Sequence, residues 1–287
     1  MKKIQIILGP TGIGKSAYAI DIAQKTGAEI ISADAYQVYK DFNIGTAKIT
    51  KEEQKLVPHH LIDILDPTVP YDVVQFQSRS KQLINALTAK NTPSIICGGT
   101  AYYLMAFLYN YDFSQSPESD PVVRDALEER YIKEGKNVLL AELQQIDPIL
   151  HAKIDQGNPR RLLRALEIYE LTGKPPSSFK IEGPLRADCE IIGLTTDRDI
   201  VYDKINKRVD QMIQVGLIEE VEQLLSRYPQ DAPAFQALGY KQCIAYLQGT
   251  CDKTTMIDQI KTLSRRFAKR QMTWFKRIEN VNWLQKT

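Results

Sequence analysis

The sequence is poor in the residues that mark several common protein classes. Cysteine occurs four times, at Cys97, Cys189, Cys243 and Cys251, with no CxxC pair. Free thiols in a reducing compartment fit that scatter better than a disulfide framework or a zinc site. Histidine occurs only at His59, His60 and His151, without HExxH or related ligand spacing. No apolar run approaches the roughly 20 residues that span a bilayer. The first apolar run is broken at once by Gly9 and Pro10 and is too short for the core of a signal peptide. A cytoplasmic protein without membrane association is therefore expected. An excess of one charge sign is missing as well. The net charge of +2 is too small to argue for a nucleic-acid partner, so any such argument rests on where the basic residues sit.

What is present describes an ordinary folded chain. Its 287 residues, 43% apolar and 25% charged, can bury a substantial core in one large or two modest domains. Short apolar runs alternate with helical patterns. Strands are expected at Lys3–Leu8, Glu29–Ala33, His60–Leu65, Pro93–Cys97 and Cys189–Leu194, with helices between them such as Ser16–Lys25 and Val74–Ala89. That alternation predicts an α/β fold with a largely parallel sheet flanked by helices. From about Ser114 to Arg186 the rhythm breaks into consecutive helices, Pro121–Glu134, Val138–Ile146, Pro148–Ile154 and Pro159–Thr172. The edges of this stretch are polar or turn-rich, Ser114-Gln115-Ser116-Pro117 and Gly173-Lys174-Pro175-Pro176. An all-helical insertion at 113–186 is expected, within a core made of 1–112 and a largely helical 187–287.

The sharpest motif is Gly9-Pro10-Thr11-Gly12-Ile13-Gly14-Lys15-Ser16. It matches the P-loop pattern G-x-x-x-x-G-K-[ST] and sits between a strand and a helix, the context that gives the motif meaning. Glycines let the backbone curl its N–H groups inward, and the helix N-terminus adds positive potential. Lys15 neutralises a bound phosphate chain, and the Ser16 hydroxyl can ligate Mg²⁺.

A P-loop specifies polyphosphate rather than ATP. A P-loop NTPase carries a Walker B acid at the end of an apolar strand. Here Ser94-Ile95-Ile96-Cys97 runs into Gly98-Gly99-Thr100 without one. The acid that ends a strand is Asp34, and strand carboxyl ends face the ligand crevice in open α/β sheets. Asp34 is either a metal ligand or general base, or a turn cap. Gly98-Gly99-Thr100 either admits a ligand close to the backbone or makes a tight strand-to-helix turn.

Basic residues cluster on two helices. Arg160, Arg161 and Arg164 share one. Lys261, Arg265, Arg266, Lys269, Arg270, Lys276 and Arg277 crowd the last, together with Trp274 and Phe275. Basic and aromatic side chains interleaved in this way suit a phosphate backbone with stacked bases, and a solvated helix face is the alternative.

Taken in order along nearly the whole chain, these segments resemble the tRNA dimethylallyltransferases. The likeness runs through Gly9–Ser16, Ser32-Ala33-Asp34-Ala35-Tyr36-Gln37, Ile44-Gly45-Thr46-Ala47-Lys48, Pro58-His59-His60-Leu61-Ile62-Asp63 and Gly98-Gly99-Thr100. It continues in Arg160-Arg161-Leu162-Leu163-Arg164, Arg208-Val209-Asp210-Gln211-Met212, Gln236-Ala237-Leu238-Gly239-Tyr240-Lys241 and Ala268-Lys269-Arg270-Gln271-Met272-Thr273-Trp274. The resemblance implies that a dimethylallyl group passes from its pyrophosphate to the exocyclic amine of the adenosine 3′-adjacent to the anticodon. The P-loop would bind the pyrophosphate with Mg²⁺ through Ser16. Lys15 and Arg208 would neutralise it, Asp34 would be the general base, and Thr100 would contact the reacting nucleotide. The tRNA anticodon loop would meet Asp34, Ala35, Tyr36, Gln37 and Thr100, with Gln37 reading the adenine. Arg160, Arg161, Leu162, Leu163, Arg164, Lys241, Lys269 and Arg270 would also contact it. The chain would act as a monomer.

Three positions depart from the family's habit. Ala35 replaces a serine, so no hydroxyl contact carries over there. Ala101-Tyr102-Tyr103 replaces Gly-Leu-Tyr, and Lys204 replaces an arginine, keeping charge but losing bidentate geometry. A small-molecule P-loop kinase is the rival expectation, with the missing Walker B acid against it.

Overall fold

The computed structural model describes residues 3–114, 117–179 and 181–286. Along the chain run β1 (Ile4–Leu8), α1 (Lys15–Thr26), β2 (Glu29–Ser32), α2 (Lys51–Leu56), β3 (His59–His60), α3 (Val73–Ala89), β4 (Ser94–Cys97) and α4 (Ala101–Leu108). Four helices follow, α5 (Pro121–Glu134), α6 (Lys136–Ile146), α7 (Pro148–His151) and α8 (Pro159–Thr172). The chain closes with β5 (Cys189–Thr195), α9 (Arg198–Gln214), α10 (Leu217–Leu225), α11 (Tyr240–Leu247), α12 (Lys253–Phe275) and β6 (Asn282–Gln285). Two compact units result, Met1–Tyr109 with Leu185–Thr287, and Asn110–Pro184. Gln115 and Ser116, in the expected boundary segment, lie outside the described residues.

The larger unit is built on a six-stranded sheet of order β3-β2-β4-β1-β5-β6, parallel throughout. Its central strands are covered on both faces, so they read as continuous Ile/Leu runs and not as alternating ones. Ile7, Ile30, Ile95 and Ile192 pack with Ala19, Ile20 and Ala23 of α1 in one cluster. A second cluster joins Val38, Tyr39 and Phe42 to Val209, Leu217, Val221, Tyr240 and Met256, which ties the C-terminal helices to the 36–44 loop. The order of the strands fixes the site. β4 lies between β1 and β2, so the C-terminal ends of all three open on one rim.

Two expectations change. The strand anticipated at 60–65 is only the two-residue β3, because Leu61 (φ 61°) and Asp63 (φ 56°) turn left-handed and cannot stay in a sheet. Asp63 is held in that turn by Lys48 at 2.5 Å and Lys51 at 2.9 Å. The sixth strand, β6, was not expected. Its Trp283 ring lies where a side chain on Gly193 would stand, which is why β5 carries a glycine there.

The smaller unit is helical. Asp120, Asp147 and Asn158 each cap a helix whose first residue is proline. Leu127, Leu139, Leu140, Leu143, Leu162, Leu163 and Leu166 form its core. Glu167, fully buried, pairs with Arg124 at 3.2 Å and Arg164 at 3.0 Å and accepts from Ser119 and the Asp120 N–H.

Candidate active site

β1 delivers the chain into the P-loop. Gly9, Gly12 and Gly14 adopt φ of 151°, 81° and 94°. A Cβ at Gly9 would stand 2.7 Å from the Leu194 carbonyl of β5, and one at Gly12 would press on Ile205 of α9. α1 starts at Lys15 with Gly14 as its N-cap and no side-chain cap, so its first N–H groups are left for an anion. Lys15 Nζ donates to the Pro10 carbonyl at 2.9 Å, lying back across the loop. Ser16 is exposed.

The neighbouring strand ends complete the rim. Gly98, just after β4, lies so close to the Ala33 carbonyl that any Cβ would collide with it, and a Cβ at Gly99 would strike Gln271. Gly98 therefore lets the β2 and β4 ends converge, and Gly99 makes room for the α12 side chain. Thr100 Oγ1 accepts the Ala35 N–H at 3.0 Å, leaving its own hydroxyl proton to donate. Asp34 Oδ1 accepts from the N–H of Tyr36 (2.9 Å) and Gln37 (3.3 Å). Among the described residues Oδ2 accepts no hydrogen bond. The carboxylate thus caps a turn with one oxygen and offers the other, so the two expectations for Asp34 are compatible.

The electrostatics join these parts. Burial pushes the Lys15 ammonium down to about 8, with the Cys97 thiol and Asp34 opposing and Arg208 reinforcing the shift. Burial also lowers Arg208, which donates to Thr11 Oγ1 at 3.2 Å, and Asp34 works against that shift. Burial raises Cys97 to about 11, so it faces the crevice as a neutral thiol. Two desolvated cations share one carboxylate. Such a crevice carries a surplus of positive charge that a diphosphate would neutralise.

Sequence reasoning gave no role to Gln271. On α12 its Oε1 accepts the Thr11 N–H at 2.8 Å and its Nε2 donates to the buried Gly99 carbonyl at 2.8 Å. It bridges the P-loop to the β4 end. The signal was available, since Ala268, Gln271 and Phe275 fall on one buried helical face, where an amide needs partners. Gln37 is also engaged, its Nε2 donating to the carbonyls of Thr46 (3.3 Å) and Ala47 (3.2 Å).

The other expected RNA contacts divide. Lys241, Lys269, Arg270, Arg160 and Arg161 are exposed. Leu162 and Leu163 are buried in the helical core, so a contact from either would run through its backbone. Arg164 is turned to Glu167 and the Pro117 carbonyl, a structural pairing. The basic helix is also less uniform than expected. Lys261 pairs with Asp210 at 2.6 Å and Arg265 donates to Asn206 at 2.7 Å, fastening α12 to α9. Lys276 and Arg277 lie beyond its end. Lys204 is exposed, unlike Arg208 one turn later.

No helix among the described residues is long and apolar enough to cross a membrane, and none of their His, Cys, Asp and Glu side chains gather in threes to hold a metal.

Comparisons with known proteins show the family. A family model described as IPP transferase matches residues 37–278. The tRNA dimethylallyltransferase of Geobacillus kaustophilus is 43% identical, over 100% of this chain and 91% of its own length. That of Carboxydothermus hydrogenoformans is 45% identical, over 98% and 91%. Among solved structures, the full-length tRNA isopentenylpyrophosphate transferase of Bacillus halodurans superposes with a TM-score of 0.73 at 40% identity, covering 99% of this chain and 90% of that one. A eukaryotic dimethylallyltransferase acting on tRNA gives 0.82 at 30% identity, covering 99% and 74%. The kinase expectation is set aside, and the chain belongs to the IPP transferase family, that of the tRNA dimethylallyltransferases.

Proposed function

We propose that this chain transfers the dimethylallyl group of dimethylallyl pyrophosphate to the exocyclic amine of an adenosine in the tRNA anticodon loop, 3′-adjacent to the anticodon. The observation that carries this reading is the shared rim: Lys15 lies across the P-loop, Arg208 donates to Thr11 within it, and Asp34 and Thr100 stand at the neighbouring strand ends. The P-loop amides toward the α1 N-terminus receive the diphosphate, that of Thr11 being held by Gln271. Lys15 and Arg208 stabilise the charge that builds on it as the allylic C–O bond breaks. The adenine nitrogen forms the new N–C bond and passes a proton to Asp34 Oδ2, and pyrophosphate departs. The Thr100 hydroxyl donates to the nucleotide beside it. A stacked adenine is out of reach of this rim, so the base is splayed into it.

Mg²⁺ fits the donors present. Ser16 offers an exposed hydroxyl at the cradle, and the remaining ligands would come from pyrophosphate oxygens and water, the usual arrangement for this ion. Bound there, it would add positive charge opposite the leaving group. One chain supplies both cradle and acid, which supports action as a monomer, and the tRNA substrate supports a cytoplasmic one. Exposed Lys241, Lys269 and Arg270 are read as contacts for the RNA backbone, as are Arg160 and Arg161.

The test is incubation with dimethylallyl pyrophosphate and an anticodon stem-loop, without ATP, followed by nucleoside mass analysis. Asp34→Asn keeps an oxygen for the Tyr36 and Gln37 N–H groups, so the fold should persist while turnover falls about 10²–10⁴-fold. Retention of more than about a tenth of the activity would remove Asp34 as the base.

A further inference from the structure

Glu220, on α10, has no part in the chemistry above, yet it holds an unusual set of partners. Its carboxylate accepts the N–H groups of Asn43 (3.1 Å), Ile44 (2.8 Å) and Gly45 (3.3 Å) and the hydroxyl of Tyr240 (2.7 Å). Successive backbone N–H groups converging on an anion form a nest, here filled by the protein's own side chain. Tyr240 is fully buried and its ring occupies the space a side chain on Gly45 would need. Burial and the Glu220 carboxylate push the Tyr240 hydroxyl well up, so it stays a donor.

The loop held in this way continues inward. Ala47 N–H bonds to the Ile44 carbonyl and Lys48 N–H to the Asn43 carbonyl, both at 3.0 Å. Thr46 Oγ1 donates to the Phe42 carbonyl at 2.7 Å. The Thr46 and Ala47 carbonyls then take the Gln37 Nε2. Two carbonyls on one end of a carboxamide fix its orientation, because only the NH₂ can donate to them. The Gln37 oxygen is left with a single long contact, the Ser32 hydroxyl at 3.5 Å. Ser32 is the last residue of β2, so this contact sets the oxygen at the β2 end of the rim, where the Gln37 backbone N–H also bonds to Asp34.

An oriented acceptor selects for donors. Adenine presents an amine N–H at its 6-position, whereas a 6-oxo purine presents an oxygen there, which a fixed carbonyl would repel. We propose that Glu220 is a positioning residue for base selection, acting through the 43–47 loop to hold Gln37 with its carbonyl oxygen presented to a 6-amino purine. This rests on the reading of Gln37 as facing the target base.

The test compares binding of two anticodon stem-loops, carrying adenosine or inosine at the target position, with inorganic pyrophosphate present and no turnover. The native protein should prefer adenosine by about tenfold or more. Glu220→Ala should bring that preference to within about twofold of unity, as should Gln37→Ala, and the double variant should lose nothing further. Affinity for inorganic pyrophosphate, held by a separate loop, should stay within about twofold and reports an intact fold. If Glu220→Ala fails that control, Glu220→Gln decides. It keeps the volume but sets an NH₂ against the Asn43 and Ile44 N–H groups, and should cut the preference at least about threefold. A preference unmoved by Gln37→Ala overturns the base-facing reading and the proposal with it. A preference lost in Gln37→Ala but kept in the Glu220 variants overturns the role of Glu220 alone.

Discussion

Replacing Gln271 with leucine tests whether the P-loop depends on its tie to α12. The two side chains have similar volume, so little cavity arises. What changes is the fate of two backbone groups 2.8 Å from the amide, the Thr11 N–H and the Gly99 carbonyl. A buried polar group left unpaired costs about 1–3 kcal/mol. The Gly99 carbonyl is buried and belongs near the top of that range, whereas Thr11 is part-buried and can find water. Their sum is about 2–4 kcal/mol. Urea unfolding followed by tryptophan fluorescence measures it, since Trp274 and Trp283, the two tryptophans of the chain, both lie in the P-loop unit. Freed from Gln271, the loop should also bind inorganic pyrophosphate about tenfold more weakly by calorimetric titration, a change of about 1.4 kcal/mol. A variant within about 0.5 kcal/mol of the native stability and with unchanged affinity would refute the bridge.

Two further outcomes follow from the charges. Lys15 sits at about 8 against an ordinary 10.5, so between those values the unfolded chain binds the extra proton and stability rises with pH. Below pH 8 the desolvated charge destabilises the free protein throughout, so Lys15→Met should raise the stability at pH 7, by at most about 3–4 kcal/mol, while abolishing pyrophosphate binding. Pyrophosphate affinity of the native protein should also fall as pH passes above 8; a flat profile would show that Lys15 keeps its charge there. In the helical unit, Glu167→Ala removes the acceptor shared by Arg124, Arg164, Ser119 and the Asp120 N–H, though Arg124 keeps Glu128 and Arg164 the Pro117 carbonyl; it should cost about 1–3 kcal/mol, read as faster hydrogen exchange of α5–α8 amides with tryptophan fluorescence unmoved. A loss below about 1 kcal/mol would show that the arginines find other partners.

The sequence by itself determined the parts whose geometry is local. The P-loop needs glycines at fixed offsets and a helix start, and both are written in consecutive residues from Gly9 to Ser16. The isoleucine runs of β1, β2 and β4 declare strands buried on both faces, and Pro after Asp or Asn marks three helix starts in the 110–184 unit. Asp34 was legible because a carboxylate at a strand's end in a parallel sheet has few other places to face. Tertiary structure decided what depends on contacts between distant segments. Nothing near Gln271 announces that its amide spans Thr11, 260 residues away, and Gly99, 172 away. The pattern of arginines at 160, 161 and 164 could not separate solvent-facing charge from Arg164, because its partner Glu167 owes its burial to packing among four helices. The eventual strength of Lys15 as a cation was likewise undecided, for its charge is set by the water that folding removes and by Arg208, Cys97 and Asp34 arriving from three other elements. Periodicity and turn chemistry act over a few residues. Desolvation and hydrogen-bond satisfaction act over whatever the fold brings within reach.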